Sequence, residues 1–390
     1  MRVQVAILGG GPSGLALARL LGLAGVEAVV LERRDRAHVL SRIRAGVLEW
    51  GSADLLRAAG VGARMDAEGQ VHDGTVLASD GTATRIDFRD LVGRSVMVYG
   101  QTEVTRDLCE ALDRDGPRVI HGAEVVAVEG LEDARARVIW QDQAGARHEV
   151  AADWVAGCDG FHGAGRRTMA AGPLKAFERV YPFGWLGVLT ERPPASAEVL
   201  YARHDRGFAL ASMRNPRLSR YYIQVPEGTR AEAWSDDAFW DELRRRLPTE
   251  TAEALRTGPA LEKSVAPLRS YVGEPMRRGR LFLCGDAAHI VPPTGAKGLN
   301  LALGDVRLLA EALIPACLSG DLAGVEAYSA RALDRVWQAE RFSWWMTTLM
   351  HLFPESGAFG LRMQRAELAH LARSRAARQA LAEAYTGVSL

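Results

Sequence analysis

The 390-residue chain contains 48 Lys and Arg and 48 Asp and Glu residues, so its formal net charge is zero and no overall field favours nucleic acid or an anionic membrane. Its length exceeds that of a usual single core, which predicts one very large domain or two interleaved ones. The four cysteines form no C-x-x-C pair and no apolar run approaches the ~20 residues of a membrane span, so we expect a cytoplasmic protein without a zinc site, a disulfide framework or a targeting segment.

The first three predicted elements form a βαβ unit. Apolar periodicity predicts a buried strand at residues 3–8, a helix at 14–24 and a second strand at 28–32. In such a unit the loop after the first strand leads into the N-terminus of the helix, whose free amides and dipole favour a phosphate. The start of the chain therefore predicts a nucleotide-binding unit.

The loop of this unit carries a glycine motif. Gly9, Gly11 and Gly14 fit G-x-G-x-x-G, in which glycines let the backbone approach a pyrophosphate. Glu32 ends the second strand, where a carboxylate can accept hydrogen bonds from an adenosine ribose. A merely structural glycine turn is the alternative, and the motif alone does not separate FAD from NAD.

Residues 175–267 change to short alternating strands with aromatic side chains, which predicts an inserted substrate domain of mostly antiparallel sheet. A hairpin with a loop at 215–219 would place Arg214 opposite Arg220 and Ser212 opposite Tyr222. Two guanidinium groups and two hydroxyls on one face would bind a carboxylate. A solvated polar face is the alternative.

The nucleotide-domain pattern returns at residues 268–318. A strand at 280–284 leads to Asp286, and a Gly- and Pro-rich loop leads to a helix beginning near Gly298. A carboxylate at a strand end suits a ribityl or pyrophosphate group, and a positive helix end would stabilise the charge of reduced flavin. This segment favours FAD over NAD, with a bare surface turn as the alternative.

The remaining residues, 319–390, are helical and amphipathic, and their large aromatic side chains predict core or subunit-interface packing in a homodimer. We therefore expect an α/β fold. It would consist of a Rossmann-like FAD-binding domain in two parts, 1–174 and 268–318, with the inserted β domain between them. Some strands near 72–98 would join that β domain.

Longer motifs resemble the class A flavin monooxygenases, the FAD-dependent aromatic hydroxylases, nearly from end to end. The resemblance rests on residues 9–14, 42–49, 99–108, 157–163, 177–187 and 285–302. It implies hydroxylation of 4-hydroxybenzoate to 3,4-dihydroxybenzoate with NAD(P)H and O2, through a C4a-hydroperoxyflavin and without a metal. Open alternatives are a related hydroxylase of another aromatic acid, such as 4-aminobenzoate, and a non-enzymatic flavin sensor. The W-x-W-x-I-P motif of flavin halogenases does not occur in the sequence.

The resemblance also implies roles for individual residues. Those around the substrate would be Tyr201 at the phenol oxygen, Tyr385 and His72 on a proton path, Ser212, Arg214 and Tyr222 at the carboxylate, and Pro293 and Thr294 beside the ring. Those around FAD would be Gly9, Gly11, Ser13, Gly14, Glu32, Arg42, Arg44, Gln101, Asp159, Arg220, Asp286, Pro293, Gly298, Leu299 and Asn300.

The nicotinamide cofactor has no second dinucleotide unit in this family and would use a basic surface. Its residues would be Arg33, Arg34, His38, Arg42, Arg44, Phe161, His162, Arg166 and Arg269, with a solvated basic patch as the alternative. Arg34 and His38 stand where the best-known family pattern has Gln and Tyr, in a stretch linked to donor choice. We expect NADPH, with NADH as the open alternative.

Overall fold

The computed structural model describes residues 1–41 and 46–387. Its strands, in chain order, are β1 (Arg2–Leu8), β2 (Ala28–Glu32), β3 (Val47–Leu48), β4 (Gln70–His72), β5 (Gly74–Ser79), β6 (Thr82–Asp87), β7 (Val96–Val98), β8 (Arg118–His121), β9 (Glu124–Glu129), β10 (Ala136–Gln141), β11 (Arg147–Gly157), β12 (Lys175–Thr190), β13 (Leu200–Arg203), β14 (Ala209–Asn215), β15 (Leu218–Pro226), β16 (Glu262–Glu274), β17 (Arg277–Arg278), β18 (Leu281–Leu283) and β19 (His289–Ile290). Its α-helices are α1 (Pro12–Leu23), α2 (Arg36–Ser41), α3 (Trp50–Ala58), α4 (Ala63–Glu68), α5 (Phe88–Val92), α6 (Gln101–Asp115), α7 (Ala164–Ala170), α8 (Asp236–Arg246), α9 (Thr249–Ala254), α10 (Gly298–Leu318), α11 (Ala323–Met350), α12 (Gly357–Arg373) and α13 (Arg375–Thr386).

The first large sheet has β1 at its centre. Its order is β17-β18-β11-β1-β2-β8, and β1 runs parallel to both β11 and β2. The end of β1 is an unbroken buried apolar run, as expected for a parallel strand covered by helices on both faces. The late strand β18 pairs with β11. Both predicted parts of the FAD-binding unit thus meet in one sheet.

The second large sheet carries the predicted substrate strands. Its order is β19-β16-β12-β15-β14-β13-β5-β6, and all these pairs are antiparallel except β13 with β5. The early strands β5 and β6 also pair into this sheet. β16 runs through residue 267, so the chain passes between the two predicted units along a continuous strand. The domain boundaries themselves stay predictions.

The register of the hairpin differs from the predicted one. Ser212 pairs with Arg220, not with Tyr222, and the turn contains two residues, not five. An irregularity between Met213 and Asn215 takes up the extra residue, Arg214. A bulge of this kind bends the strand and re-aims a side chain, which a strict period of two does not predict.

The C-terminal helices close over the second sheet. Phe342, Phe353 and Tyr385 are buried in a cluster with residues of β13, β14 and β12. Trp337 and Trp344, on the outer side of α11, are each more than two-fifths exposed. Of the helices in the described part of the chain, none is long and apolar enough to span a bilayer.

Candidate active site

The glycine loop between β1 and α1 is built for close backbone approach. Gly9 has a φ of +96°, a conformation that other residues rarely adopt. A Cβ on Gly14 would lie 2.0 Å from the Gly9 carbonyl oxygen. A Cβ on Gly11, in contrast, would meet no described atom within 4 Å. The loop is therefore tight on the protein side and open in front of the α1 N-terminus, where Ser13 lies.

Glu32 lies over this loop from the end of β2. Its carboxylate accepts hydrogen bonds from the backbone amides of Gly10, at 2.6 Å, and Arg34, at 2.8 Å. The side chain is buried. Two oxygens held in place by amides are well placed to accept further hydrogen bonds from ribose hydroxyls. Arg42 and Arg44, predicted to contact FAD and the nicotinamide cofactor, lie outside the described residues.

Asp159 and the segment around Asp286 follow the neighbouring strands β11 and β18. Asp159 Oδ2 accepts from the Gly165 amide at 2.9 Å, and burial raises the pKa of this carboxyl. A Cβ on Gly285, beside Asp286, would lie 2.9 Å from Ser13 Oγ. The glycine loop, Glu32, Asp159 and Asp286 thus gather at the carboxyl ends of four parallel strands, where this architecture binds dinucleotides.

The N-terminus of α10 is at Gly298, as predicted, and continues into Leu299 and Asn300. The Asn300 side chain donates to the carbonyls of Val47 and Ala296, each at 2.9 Å, and accepts from the Glu49 amide. Because the amide side chain is engaged, a cofactor contact here must come from the backbone. Three features of this region fit FAD: the open space in front of the glycine loop, the Glu32 carboxylate as an acceptor for ribose hydroxyls, and the N-terminus of α10.

The predicted substrate face follows one row of residues across the second sheet. Tyr201 lies opposite Leu210, which lies opposite Tyr222, which in turn lies opposite Gly187. A Cβ on Gly187 would approach the Tyr222 ring to 2.6 Å. Glycine is therefore required there for the tyrosine to lie over the sheet. The next row holds Ser212 opposite Arg220, on the same face because strand side chains alternate.

Arg214 is a half-buried side chain that forms no ion pair with an acidic residue in the described part of the protein, and its guanidinium Nε is shielded from solvent. Its Nη1 donates to the Met213 carbonyl at 3.2 Å, and its Nε has no hydrogen bond there. Burial lowers the pKa of Arg214, against the influence of the Tyr222 hydroxyl. An unpaired buried charge is costly. A carboxylate ligand would supply the missing charge and acceptors.

Ser212 and Arg220, beside it, are already engaged. The Ser212 hydroxyl donates to the Arg220 carbonyl at 2.8 Å, and Arg220 Nη2 donates to Glu262 Oε1 at 3.1 Å and to Ser264 Oγ at 3.2 Å. Arg220 Nε and Nη1 find no hydrogen-bond acceptor among the described residues. Arg220 therefore has donors left for a neighbouring group, while Arg214 is the cation without a counter-charge.

Two buried tyrosines meet at the other end of this face. The hydroxyl oxygens of Tyr201 and Tyr385 are 2.9 Å apart. Burial raises the pKa of Tyr201 well above its ordinary value and that of Tyr385 to about 12. His72 is buried, its Nδ1 has no hydrogen-bond partner among the described residues, and burial lowers its pKa. The first two hydroxyls of the predicted proton path therefore lie within hydrogen-bond distance of each other.

Two residues that hold site residues in place were not identified from the sequence. Lys297 is buried and donates to Glu49 Oε1 at 2.6 Å and to the Tyr385 carbonyl at 2.9 Å. It therefore holds α13 and with it Tyr385. Thr347 Oγ1, on α11, lies 2.9 Å from Thr294 Oγ1 in the turn that begins at Pro293. The lysine in the late glycine-rich motif was a readable signal, whereas Thr347 carried none.

The predicted nicotinamide surface falls into two parts. The Arg166 and Arg269 guanidinium carbons lie 4.1 Å and 4.9 Å from the centre of the Phe161 ring, which also contacts the ring of His162. Arg33, Arg34 and His38 are exposed after β2 and on α2. Gln101 begins α6. Stacked guanidinium groups retain donors for a phosphate.

Comparisons with known proteins identify the family of this chain. Residues 2–343 match a family described as FAD binding domain. The p-hydroxybenzoate hydroxylase of Acinetobacter baylyi is 49% identical over 389 residues, which cover 100% of this chain and 96% of that protein. A probable NADH-specific resorcinol 4-hydroxylase of Rhodococcus jostii is 28% identical over 79% of this chain and 58% of its own length. The solved structure of p-nitrophenol 4-monooxygenase from Pseudomonas putida has a TM-score of 0.80 at 21% identity, with both chains fully covered.

Proposed function

The chain belongs to the FAD-dependent aromatic hydroxylases, and from this premise we propose that it converts 4-hydroxybenzoate and O2 to 3,4-dihydroxybenzoate and water, with NAD(P)H as the electron donor. The observation that supports this substrate is Arg214, a half-buried side chain with no acidic ion-pair partner among the described residues and with an unpaired, buried guanidinium Nε, on the same face as the Tyr201–Tyr385 pair. A benzoate with a phenol opposite its carboxylate would meet both ends. The 49% identical relative supports the same substrate.

Arg214 holds the substrate carboxylate in this proposal. Its guanidinium offers a planar pair of donors, and a charge-assisted pair in a dry site is stronger than a neutral hydrogen bond. Ser212 and Tyr222 border the carboxylate and fix its plane. Binding also relieves the cost of burying the arginine alone, so the substrate and the site stabilise each other.

Tyr201 and Tyr385 move the phenol proton. The substrate hydroxyl donates to Tyr201 Oη, which passes its own proton to Tyr385 Oη across 2.9 Å. His72 receives the proton beyond Tyr385 and delivers it to solvent. Loss of this proton makes the ring carbon next to the phenol oxygen electron-rich, which prepares it for attack on an electrophilic oxygen. Pro293 and Thr294, held by Thr347, border the ring at the phenol end.

When bound, FAD would supply the redox chemistry, namely two electrons from the nicotinamide donor and an activated oxygen for the ring. Gly9, Gly11, Ser13 and Gly14 would leave room for its pyrophosphate, and Glu32 would accept hydrogen bonds from its ribose. Asp159, Asp286, Gln101 and Arg220 would hold the remainder. The α10 N-terminus, at Gly298 to Asn300, would stabilise negative charge on the flavin. Leu299 and the second sheet would exclude water, which would limit loss of oxygen as H2O2.

NADPH is the proposed donor, because Arg33 and Arg34 are both exposed next to Glu32 and suit a 2'-phosphate. Phe161, His162, Arg166 and Arg269 would contact the rest of the NADPH molecule, together with His38, Arg42 and Arg44.

We also propose a homodimer in the cytoplasm. The exposed Trp337 and Trp344 support a subunit contact at α11.

Donor oxidation in the presence of three ring compounds tests the proposal. The purified holoenzyme is given NADPH or NADH with 4-hydroxybenzoate, 4-aminobenzoate or benzoate, and donor loss, ring product and H2O2 are measured in the same tube. We expect 3,4-dihydroxybenzoate in near-equal amount to the donor consumed, faster with NADPH. Stimulation with H2O2 alone would mean another ring is the substrate. No stimulation by any of the three would contradict the activity.

A further inference from the structure

Cys158 and Cys284 follow two neighbouring strands of the first sheet. β11 and β18 run parallel, with Gly157 opposite Leu283, so the two cysteines occupy the next pair of positions. The Cys284 amide donates to the Gly157 carbonyl at 3.0 Å, which keeps the strands together up to this point. Neighbouring strands lie about 4.8 Å apart, within the range of about 4.4–6.8 Å between the Cα atoms of disulfide-bonded cysteines.

The two side chains lie on the same side of the sheet, because paired positions of neighbouring strands point the same way. Cys284 Sγ donates a hydrogen bond to the Ala302 carbonyl at 3.7 Å, and the neighbouring Cys158 thiol together with burial raises the pKa of Cys284 well above its ordinary value. Cys284 is 1% exposed, whereas Cys158 is only partly buried, and both are free thiols. Cys158 is therefore the accessible member of the pair, and Cys284 is the protonated one behind it.

Both cysteines touch the glycine loop through the backbone next to them. The Cys158 carbonyl oxygen would lie 2.5 Å from a Cβ on Gly9. Gly285, which follows Cys284, would place its Cβ 2.9 Å from Ser13 Oγ. The Cys158 amide also donates to the carbonyl of Leu8, just before the loop, at 2.8 Å, so a movement of this backbone is passed to the residues proposed to cradle the FAD pyrophosphate.

We propose that Cys158 and Cys284 are an oxidation site, at which a hydroperoxide forms a reversible disulfide that weakens FAD binding. The second half of this proposal rests on the proposed position of FAD at Gly9 and Ser13. Joining the sulfurs imposes the fixed length and torsion of an S–S bond on two adjacent strand ends, which shifts the two backbone segments beside the loop. The oxidant is H2O2, which an aromatic hydroxylase releases when donor oxidation runs without ring hydroxylation.

The chemistry balances with one peroxide. The Cys158 thiolate attacks one peroxide oxygen, the O–O bond breaks, and the hydroxide that leaves takes up the thiol proton as water. The Cys284 sulfur then attacks the sulfenic sulfur, the S–O bond breaks, and the second hydroxide leaves as water with the Cys284 proton. Two thiols lose two electrons, and the peroxide is reduced to two waters. A dithiol reductant reverses the bond by exchange.

Thiol mapping of the full-length holoenzyme tests the site without relying on activity. The enzyme is treated with graded H2O2, blocked with N-ethylmaleimide, digested and analysed by mass spectrometry, and FAD released through a filter is measured by fluorescence. We expect a linked peptide pair containing Cys158 and Cys284 that dithiothreitol removes. Cys109 and Cys317, on α6 and α10, should remain as alkylated thiols and serve as internal controls.

The variant Cys284→Ala distinguishes the effect of the Cys158–Cys284 disulfide from the effect of oxidation elsewhere in the protein. Cys109→Ala is the matched control, because Cys109 is also buried. Oxidation should raise the dissociation constant for FAD about tenfold in the parent and in Cys109→Ala, and leave it unchanged in Cys284→Ala, where dimedone traps Cys158 as the sulfenic acid. Independent oxidation of the two cysteines in the parent would overturn the oxidation site. A linked pair with unchanged FAD affinity would overturn the coupling to FAD, and a protein that hydroxylates no ring would leave the thiol result standing on its own.

Discussion

The two large sheets use different means to make a binding site. In the first sheet the proposed pyrophosphate and flavin contacts come largely from backbone, namely a loop with Gly9 at positive φ and a helix end at Gly298, beside carboxylates at strand ends that share one edge. In the second sheet they come from side chains such as Arg214 and Tyr201, which project from separate strands. The first site depends on glycines that leave room for the cofactor, and the second on the identity of its side chains.

This difference sets what a substitution can do. A Cβ added to the glycine loop meets backbone atoms that cannot move away, so the loop itself must change. A changed side chain on the second sheet leaves the backbone ladder intact and alters only the chemistry of the face. We therefore expect failure of folding or cofactor retention on one sheet and graded, ligand-specific effects on the other.

The largest effect is predicted for Gly14→Ala. Its Cβ would lie 2.0 Å from the Gly9 carbonyl oxygen, so β1 and α1 cannot keep their packing. We expect loss of FAD and a destabilisation of about 3 kcal/mol or more, as for other severe overpacking. FAD content after gel filtration and urea unfolding measure the two effects.

Gly11→Ala is the matched control, because a Cβ there meets open space. This variant should unfold at nearly the parent urea concentration and yet bind FAD more weakly, since the methyl group enters the space in front of α1. Equal FAD affinity in Gly11→Ala and the parent would contradict the placement of the pyrophosphate.

The second prediction concerns the side-chain sheet and is Arg214→Lys. A lysine keeps the charge but presents a point charge instead of a fork, so the dissociation constant for 4-hydroxybenzoate should rise about 100-fold, which corresponds to ~3 kcal/mol. FAD binding should not change. Flavin fluorescence during titration with the substrate measures the constant. Arg217→Lys, exposed in the hairpin turn, should match the parent, and a similar loss in both would remove Arg214 from the carboxylate site.

The same difference decides what could be predicted from the sequence. Gly9 to Glu32 lie within one local motif, and the predicted strand, loop and helix appear within about two residues. A helix was also predicted to begin near Gly298, and α10 begins there. Local spacing is sufficient because the βαβ unit positions its own loop.

The second sheet could be predicted only in outline. The strand pattern identified the hairpin, but the bulge at Arg214 shifted the pairing, because a single extra residue has no signature in an alternating pattern. Tyr201 and Tyr385 come together across 184 positions, a contact that only the family resemblance implied. Thr347 and Lys297 act through packing from distant helices, and spacing in the sequence does not report such contacts.

Tyr201→Phe sharpens the comparison further, because it removes one oxygen and no packing. We expect the dissociation constant for 4-hydroxybenzoate to stay within about threefold of the parent value. The fraction of donor electrons that reaches 3,4-dihydroxybenzoate should fall about tenfold, and H2O2 should account for the lost product. Product and peroxide per NADPH measure the split. Tyr221→Phe, whose hydroxyl accepts from the Ala195 amide in the opposite core, should keep full coupling. Intact coupling in Tyr201→Phe would disprove the proton path.

The smallest predicted effect comes from His351, buried under the substrate sheet. Trp185 Nε1 donates to His351 Nε2 at 2.7 Å, so the imidazole proton lies on Nδ1 and donates to the Thr347 carbonyl at 3.0 Å. A second proton would face the indole N–H, and burial lowers the pKa of His351 from 6.5 to about 3. The unfolded chain therefore takes up this proton first, and stability falls as the pH drops below 6.5 towards 3.

Between about pH 7 and about pH 5.5 this histidine should cost the folded protein ~1 kcal/mol. Urea unfolding of the parent and of His351→Gln at both values measures the difference. The variant should be less stable at each pH and should lose about 1 kcal/mol less on acidification, whereas exposed His38→Gln should follow the parent. An identical pH dependence in all three proteins would mean that His351 can be protonated as readily in the folded protein as in the unfolded chain. The core beneath the substrate sheet would then tolerate a charge, whereas the glycine loop tolerates no methyl group.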